Sequence, residues 1–427
     1  MKFLLYIPPC HPEGLKLAHV KIGGLTLYER ACRSAQKAGF NEIIISLPND
    51  ITLLPDKFVT VPVRVIPYEE HVATVKEALA EAMEGQGGCV CLLDGMLSPA
   101  LLARPQDDNV RIVAAGEETS VCFLDGETLS KALLGEASLD GMDDLVQATW
   151  AAAPGALYHR VRNPQDIKEG REALTRSLHK PLGRESDGIV AYFINRPCSL
   201  QISKRIANSF ITPNMVTAFG LMVGLAGAGL VAIGGQWLMA LGALLWQISS
   251  MIDGIDGELA RMRMTSSHAG EWFDTVVDDV TNITFMLGLG HGVARMTSEP
   301  LFFHVAAVVC TLMAIAVIWF YVEFARMGIA SHNHFEWGFE SDNKENKVRE
   351  HRSLIRKTLD LVAGGFAWIA KRDFYTFLVM SLILLTLYKA AYFIMLTGAT
   401  FIGVGSLIAL GLRVIRKTLR ARRQAVR

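Results

Sequence analysis

Residues 253–279, DGIDGELARMRMTSSHAGEWFDTVVDD, lie between two strongly apolar stretches and carry carboxylates where a lipid bilayer would begin. On a helix, Asp256, Gly257, Ala260 and Arg261 follow Asp253 at offsets of three, four, seven and eight, which places all five on one face. Gly270, Asp274 and Asp278 repeat that spacing on the next helix. The short connection MRMTSSHA lets the two helices run antiparallel with their carboxylates converging. A charge at full bilayer depth costs about 2.5–3.5 kcal/mol, less near the surface, so carboxylates gathered in this way call for a bound cation. Hard oxygen donors suit Mg²⁺, Mn²⁺ or Ca²⁺ rather than zinc. Gly257 and Ala260 leave room for a phosphorylated group to approach the backbone, and Arg261 can fork onto a phosphate. The combination points to phosphoryl transfer.

Outward from this stretch, the apolar runs give six segments of about 20 residues, the length a bilayer requires: 213–234, 237–260, 273–294, 301–325, 373–392 and 394–412. Residues 189–210 mix apolar side chains with Arg196, Lys204 and Arg205, which suits an amphipathic helix on the membrane surface. Lys and Arg gather before the first span, between the second and third, between the fourth and fifth, and after the sixth. The opposite loops GGQ, ARMTSEP and TGAT are almost uncharged. The positive-inside rule therefore puts the front domain, the acidic stretch and the C-terminus in the cytoplasm of a multi-pass protein of the inner or plasma membrane.

Up to about Gly188 the sequence is of another kind. Short β-rich runs (KFLLYI, NEIIIS, VRVIPY, CVCLLDG, VRIVAAG) alternate with helical patterns such as LTLYERACRSAQKAG and ATVKEALAEAME, the signature of βαβ units and a largely parallel sheet. The expected organisation is an α/β domain over 1–183, a linker and interfacial helix over 184–212, and an all-α membrane domain over 213–427. The 42 basic and 42 acidic residues balance, and the basic ones cluster beside apolar runs, which argues against a nucleic-acid partner. Seven cysteines without a CxxC pair read as reduced, mostly buried thiols. The apolar run in MKFLLYIPPCHPEG is too short for a signal peptide, so the front domain is expected not to be exported.

The pattern D-x2-D-G-x2-A-R-x8-G-x3-D-x3-D runs through Asp253, Asp256, Gly257, Ala260, Arg261, Gly270, Asp274 and Asp278 without a gap, and it resembles the signature of the CDP-alcohol phosphotransferases. The resemblance implies that Asp253, Asp256 and Asp274 hold Mg²⁺ or Mn²⁺ against the diphosphate of a CDP-linked donor, with Asp278 a shared ligand and the base toward an alcohol or polyol-phosphate acceptor. Gly257, Ala260, Arg261 and Gly270 would then shape the nucleotide pocket, and a homodimer among membrane lipids is expected. Asn214 and Thr217 are candidate nucleotide contacts, although Thr-Pro-Asn also makes a good helix start. Arg372 is a candidate for the acceptor phosphate or a simple membrane anchor. Lys389 is read as snorkelling, Glu258 and Asp279 as solvated, and His268 as exposed in its loop.

The segment HVKIGGLTLYERACRSAQKAGFNEIIIS resembles the region after the nucleotide-binding loop of sugar-phosphate nucleotidyltransferases, and Asp94 of LLDG stands where such enzymes place a metal ligand. The fusion is similar to bifunctional enzymes that make CDP-inositol and transfer inositol phosphate from it. However, PPCHPEGLK replaces the expected glycine-rich loop, and Arg160 and Arg162 stand where that resemblance expects acidic residues. A guanidinium cannot ligate a cation, so the front domain is expected to be nucleotidyltransferase-like (Rossmann-like) but degenerate. CDP-diacylglycerol is the favoured donor on this reading. The alternatives are CDP-inositol, with or without an active front domain to make it, a membrane-tethered cytidylyltransferase, and a non-catalytic anchor or transporter.

Overall fold

The computed structural model describes residues 2–6, 19–48, 56–68, 87–92, 95–102, 109–113, 121–129, 148–151, 156–161, 163–179, 187–328 and 371–400, with 403 and 411. The phosphate-loop segment 8–16, the expected helix at 73–84, Asp94, Arg162 and most of the expected span at 394–412 lie outside the described residues. The chain divides into a front unit of 1–179, 204–210 and 260–265, and a helical unit of 180–203, 211–259 and 266–427.

In the front unit, β1 (Lys2–Tyr6), β4 (Glu42–Pro48), β5 (Val63–Tyr68), β6 (Gly88–Leu92), β8 (Val110–Val113), β9 (Val121–Leu124) and β10 (Ala148–Ala151) form one sheet in the order β10-β8-β9-β6-β1-β4-β5. β1 pairs in parallel with β4 and β6, bringing Lys2 opposite Glu42 and Gly88. β9 runs antiparallel between β6 and β8. Runs such as EIIIS and GCVCL are nearly continuous in apolar and β-branched residues because Ile43, Ile44, Ile45, Cys89, Val90 and Cys91 are all buried, as strands covered on both faces must be. The expected largely parallel sheet is thus present, with one antiparallel strand inside it.

Two small ribbons complete the unit: β2 (Lys21–Ile22) with β3 (Leu25–Thr26), and β7 (Gly95–Leu97) with β11 (Tyr158–Arg160). Helix α1 (Leu27–Lys37) starts at a capping box in which Thr26 accepts from the Glu29 amide and Glu29 accepts from the Thr26 amide. Helix α2 (Pro164–Ser177) has the same device. Asn163 accepts from the amides of Gln165 and Asp166, and Asp166 accepts from the Asn163 amide. The Asn-Pro-Gln-Asp run after Arg160 and Arg162 is therefore a helix start.

The helical unit begins with a π turn at Ala191–Asn195 leading into α3 (Arg196–Ile206). Ile189, Phe193, Ile194 and Ile202 remain exposed there. Then come α4 (Pro213–Ile233), α5 (Gln236–Met262), α6 (His268–Thr297), α7 (Leu301–Met327) and α8 (Arg372–Leu384). Thr212 caps α4 with Pro213 in its first turn. Small residues bring α6 hard against α4: a Cβ on Gly292 would lie 2.1 Å from the Val231 carbonyl, and one on Gly288 2.4 Å from that of Ala228. Trp246 of α5 stacks on Phe285 of α6 with centroids 3.8 Å apart, at the centre of the helical core.

Six spans were expected; among the described residues, three helices, α4, α5 and α7, are long and apolar enough to cross a membrane. α6 covers the expected third span, but Glu271, Asp274, Asp278 and Asp279 make its first half acidic. The expected fifth span is two helices: α8 ends at Leu384 and another helix covers 388–400. Thr386 adopts φ 61°, its amide reaches the Ile383 carbonyl at 2.9 Å, and the Leu387 amide reaches Leu382 at 2.8 Å. This is the paired closure of a Schellman turn, here built without glycine, which is why the apolar run hid the boundary.

Candidate active site

The acidic motif lies near the C-terminal end of α5 and in the first turns of α6, joined by Arg263–Ser267. Ser267 caps α6 by accepting from the Gly270 amide, so the connection is held at its exit. One carboxylate oxygen from each of Asp253, Asp274 and Asp278 lies within 4.8 Å of the others, all three half-buried. Asp274 Oδ1 is buried without a hydrogen-bond partner among the described residues. Buried polar atoms are normally satisfied, and an unpartnered oxygen beside two other acids has the chemistry to accept a cation.

Asp256 stands apart from that trio. It is 6% exposed and accepts from the Thr217 hydroxyl of α4. Thr217 therefore touches the site through Asp256. Asn214 is exposed in the first turn of α4, its Oδ1 3.7 Å from the position a Cβ on Gly270 would take. Gly257 sits half-buried one residue beyond Asp256, and Ala260 and Arg261 continue α5 into the residues assigned to the front unit.

Arg372, at the start of α8, projects its guanidinium between two of the acids. Nη1 is 3.2 Å from Asp253 Oδ1 and also pairs with Asp278 Oδ1. Beside it, Asp373 accepts from the Ala191 amide at 2.7 Å, which ties the start of α8 to the π turn. A cleft lined by Thr217, Gly220, Ser249, Asp253, Asp256, Val277, Asp278 and Arg372 opens here. Gly220 and Ser249 were not expected from sequence. Ser249 Oγ donates to the Gly220 carbonyl at 2.8 Å, and nothing in local spacing signals a lining role that depends on two helices meeting.

Two expectations of solvation are corrected. Glu258 is 0% exposed; it accepts from Arg196 Nη1 at 2.8 Å, Ser199 Oγ at 2.6 Å and Ser203 Oγ at 2.7 Å. Arg196 also forks onto Asp187 at 2.8 and 3.2 Å. α3 brings three donors onto Glu258, which converts an expected surface position into a buried one. Asp279 accepts from Tyr321 of α7 at 2.7 Å. His268 is exposed, as expected, with Nε2 3.1 Å from the Gly328 carbonyl. Lys389 pairs with Glu299 at 3.0 Å and lies over the Phe302 ring.

Among the described residues, Asp253 and Asp278 share the Arg372 guanidinium, and with Asp256 and Asp274 nearby the site is rich in acidic groups. The oxygen donors, their mutual reach and the unpartnered Asp274 oxygen all fit a divalent cation of the hard class.

Residues 210–405 match the family described as CDP-alcohol phosphatidyltransferase. A protein of Aquifex aeolicus named as a bifunctional IPC transferase and DIPP synthase is 35% identical over 135 residues, 32% of this chain and 30% of its own. One of the same name from Thermococcus kodakarensis is 29% identical over 180 residues, 42% of this chain and 39% of its own. The matches thus span well under half the length of these curated relatives. The solved structure of HddC from Yersinia pseudotuberculosis aligns with 40% of this chain and 98% of its own at 13% identity and a TM-score of 0.32.

Proposed function

Residues 210–405 belong to the CDP-alcohol phosphatidyltransferase family, and from that premise we propose that the chain moves a phosphate-linked group from a CDP-alcohol to a hydroxyl acceptor and releases CMP. The observation that carries this reading is the convergence of Asp253, Asp274 and Asp278 within 4.8 Å beside an unpartnered buried carboxylate oxygen. Asp253, Asp256, Asp274 and Asp278 would hold a divalent cation, Mg²⁺ or Mn²⁺, which when bound supplies charge neutralisation for the donor diphosphate. Asp278 takes the proton of the acceptor hydroxyl on a carboxylate oxygen, and the resulting alkoxide attacks the β-phosphorus as the bond to CMP breaks. Gly257, Ala260, Arg261 and Gly270, with Asn214 and Thr217 at the edge, form the nucleotide end of the site.

The donor is CDP-inositol rather than CDP-diacylglycerol. The curated relatives carry the names IPC transferase and DIPP synthase, and these favour a polyol donor over the lipid donor that the sequence alone suggested. Arg372 then serves the phosphate of a polyol-phosphate acceptor, exchanging Asp278 and Asp253 for that anion. The front unit does not make the donor. Arg160 lies on β11, and Asn163 and Asp166 are engaged in capping α2. The basic loops support a cytoplasmic placement of the acidic site.

The test incubates the purified chain and Mg²⁺ with CDP-inositol or CDP-diacylglycerol and a panel of alcohols and polyol phosphates, following CMP. CMP release that survives in both Asp278→Asn and Asp253→Asn overturns the mechanism, and release from CDP-diacylglycerol alone overturns the donor. A parallel assay with CTP and inositol phosphate follows pyrophosphate; its release by the chain overturns the inactive front unit.

A further inference from the structure

Helix α1 and the Gly23–Gly24 turn before it take no part in the chemistry proposed above, yet they hold two places far away in the chain. Both places, 204–210 and 260–265, belong to the front unit itself. Arg30, 3% exposed, donates from Nη2 to the carbonyls of Ile22 and Met262, each at 2.8 Å. Arg33, 5% exposed, donates from Nη1 to the Arg263 carbonyl at 2.6 Å while Nε and Nη2 fork onto Asp56 at 2.6 and 2.8 Å.

Met262 is the last residue of α5, where carbonyls run out of intrahelical partners and the dipole favours a cation. The turn that follows supplies some partners itself. Met264 takes φ 53°, the Thr265 amide reaches the Ala260 carbonyl at 2.9 Å, and the Met264 amide reaches that of Arg261 at 3.2 Å. The next two carbonyls, Met262 and Arg263, go to Arg30 and Arg33. Four consecutive carbonyls are thereby satisfied, two by the local turn and two by arginines more than 200 positions earlier. Burial, with Arg33 beside it, lowers the Arg30 guanidinium to about 10, so it is still charged at neutral pH.

The seat is shaped for this contact. Gly23 and Gly24 have φ +63° and +85°, and a Cβ on Gly24 would lie 2.3 Å from the Ala207 carbonyl. The Gly24 amide donates to Asn208 Oδ1 at 2.8 Å. Arg263 in turn donates from Nε to Ala207 at 2.9 Å and from Nη2 to Ile206 and Ser209 at 3.1 and 2.8 Å, closing the C-terminal end of α3.

We infer that Arg30 and Arg33 are positioning residues, through which the front unit clamps the last turn of the helix that carries Asp253, Asp256, Ala260 and Arg261. This rests on the reading of those residues as the CDP-donor centre. Without the clamp, the last turn of α5 frays, and fraying one turn from Asp256 loosens both the cation ligands and the nucleotide end of the site.

The test compares the full-length chain with Arg30→Lys, Arg33→Lys and the double Arg30→Met/Arg33→Met variant. A lysine at 33 keeps charge beside Asp56, but one ammonium cannot fork onto Asp56 and also reach the Arg263 carbonyl. Three readouts are taken: amide exchange over 256–265, Mn²⁺ affinity by electron paramagnetic resonance, and kcat against KM for the CDP donor. In folded Arg33→Lys, exchange accelerates about tenfold, as expected for one lost charge-assisted hydrogen bond. Mn²⁺ then binds about fivefold more weakly and kcat falls about tenfold, with donor KM changing less. Unchanged exchange and Mn²⁺ affinity in the folded lysine variants overturn the inference, whether or not the double variant folds. If the wild-type chain releases no CMP from any donor, the proposed reaction fails, but exchange and Mn²⁺ binding still decide this inference.

Discussion

Glu258 and Asp253 lie five residues apart on α5, and the two are treated oppositely. Glu258 is fully buried and every donor it needs is present: Arg196, Ser199 and Ser203. Asp253, with Asp274 and Asp278 across from it, is half-exposed and among the described residues shares one guanidinium with Asp278, an Asp274 oxygen being left without a partner there. Burying charge is tolerable only when it is matched. The matched acid holds the π turn and α3 onto α5; the unmatched ones store repulsion that a ligand can relieve, which is how functional carboxylates are recognised.

The comparison breaks first, if it breaks, at the unmatched acids. Asp278→Asn and Asp253→Asn are expected to lower CMP release by about a thousandfold, within the range of a lost general base or cation ligand. The same variants should melt no lower than the wild type, because each removes a like charge from the cluster. A fall in Tm alongside the loss of activity would mean that these acids are structural after all.

The matched acid should give the reverse. Glu258→Ala leaves Arg196 with Asp187 alone in a buried setting and is expected to cost about 3–5 kcal/mol of stability, read as a lower Tm or denaturant midpoint. Turnover per folded molecule should stay within about threefold of wild type, since Glu258 touches no reacting group. Strong loss of turnover in a folded Glu258 variant would erase the distinction.

Metal removal sharpens the contrast further. Chelation is expected to abolish CMP release, and saturating Mg²⁺ at about a hundred times its Kd should stabilise the wild type by about 2.7 kcal/mol. Glu258→Ala should keep that increment and Asp274→Asn should lose it, both measurable as Mg²⁺-dependent shifts in Tm.

The smallest effect concerns an acid in the front unit. Asp125 accepts from the Thr128 amide at 2.7 Å and from Asn109 at 2.6 Å. The Thr128 amide, then Asn109, hold its carboxyl below the usual range. A depressed folded value means that its contribution is present above the unfolded pKa near 4 and is lost as pH falls through the lower folded value. Asp125→Ala should therefore cost about 1 kcal/mol at neutral pH, with the difference from wild type closing in acid. A difference that persists at pH 2 would assign the effect to packing instead of charge.

Much of the molecule is legible in the chain because the deciding signals are local. Short β-rich runs place β1, β4, β5, β6 and β8, and the helical pattern of LTLYERACRSAQKAG covers α1. The three- and four-residue spacing of Asp253, Asp256, Asp274 and Asp278 needs only the helical repeat to be read as one site. The break at Thr386 escapes such reading because its turn is built from residues without turn character. The two-unit division is equally hidden, since residues 204–210 and 260–265 belong with a domain that precedes both.

The sequence by itself indicated that Asp253, Asp274 and Asp278 face one another among apolar helices, though not that Asp256 turns to Thr217, because helical periodicity and hydropathy are properties of neighbours. Tertiary structure alone decided which carboxylates are compensated. Arg196 reaches Glu258 across 62 positions, Arg372 reaches Asp278 across 94, and Arg30 reaches the end of α5 across 232. A charge is stabilised by whatever stands within a few ångströms of it, and that set is chosen by packing, not by order along the chain.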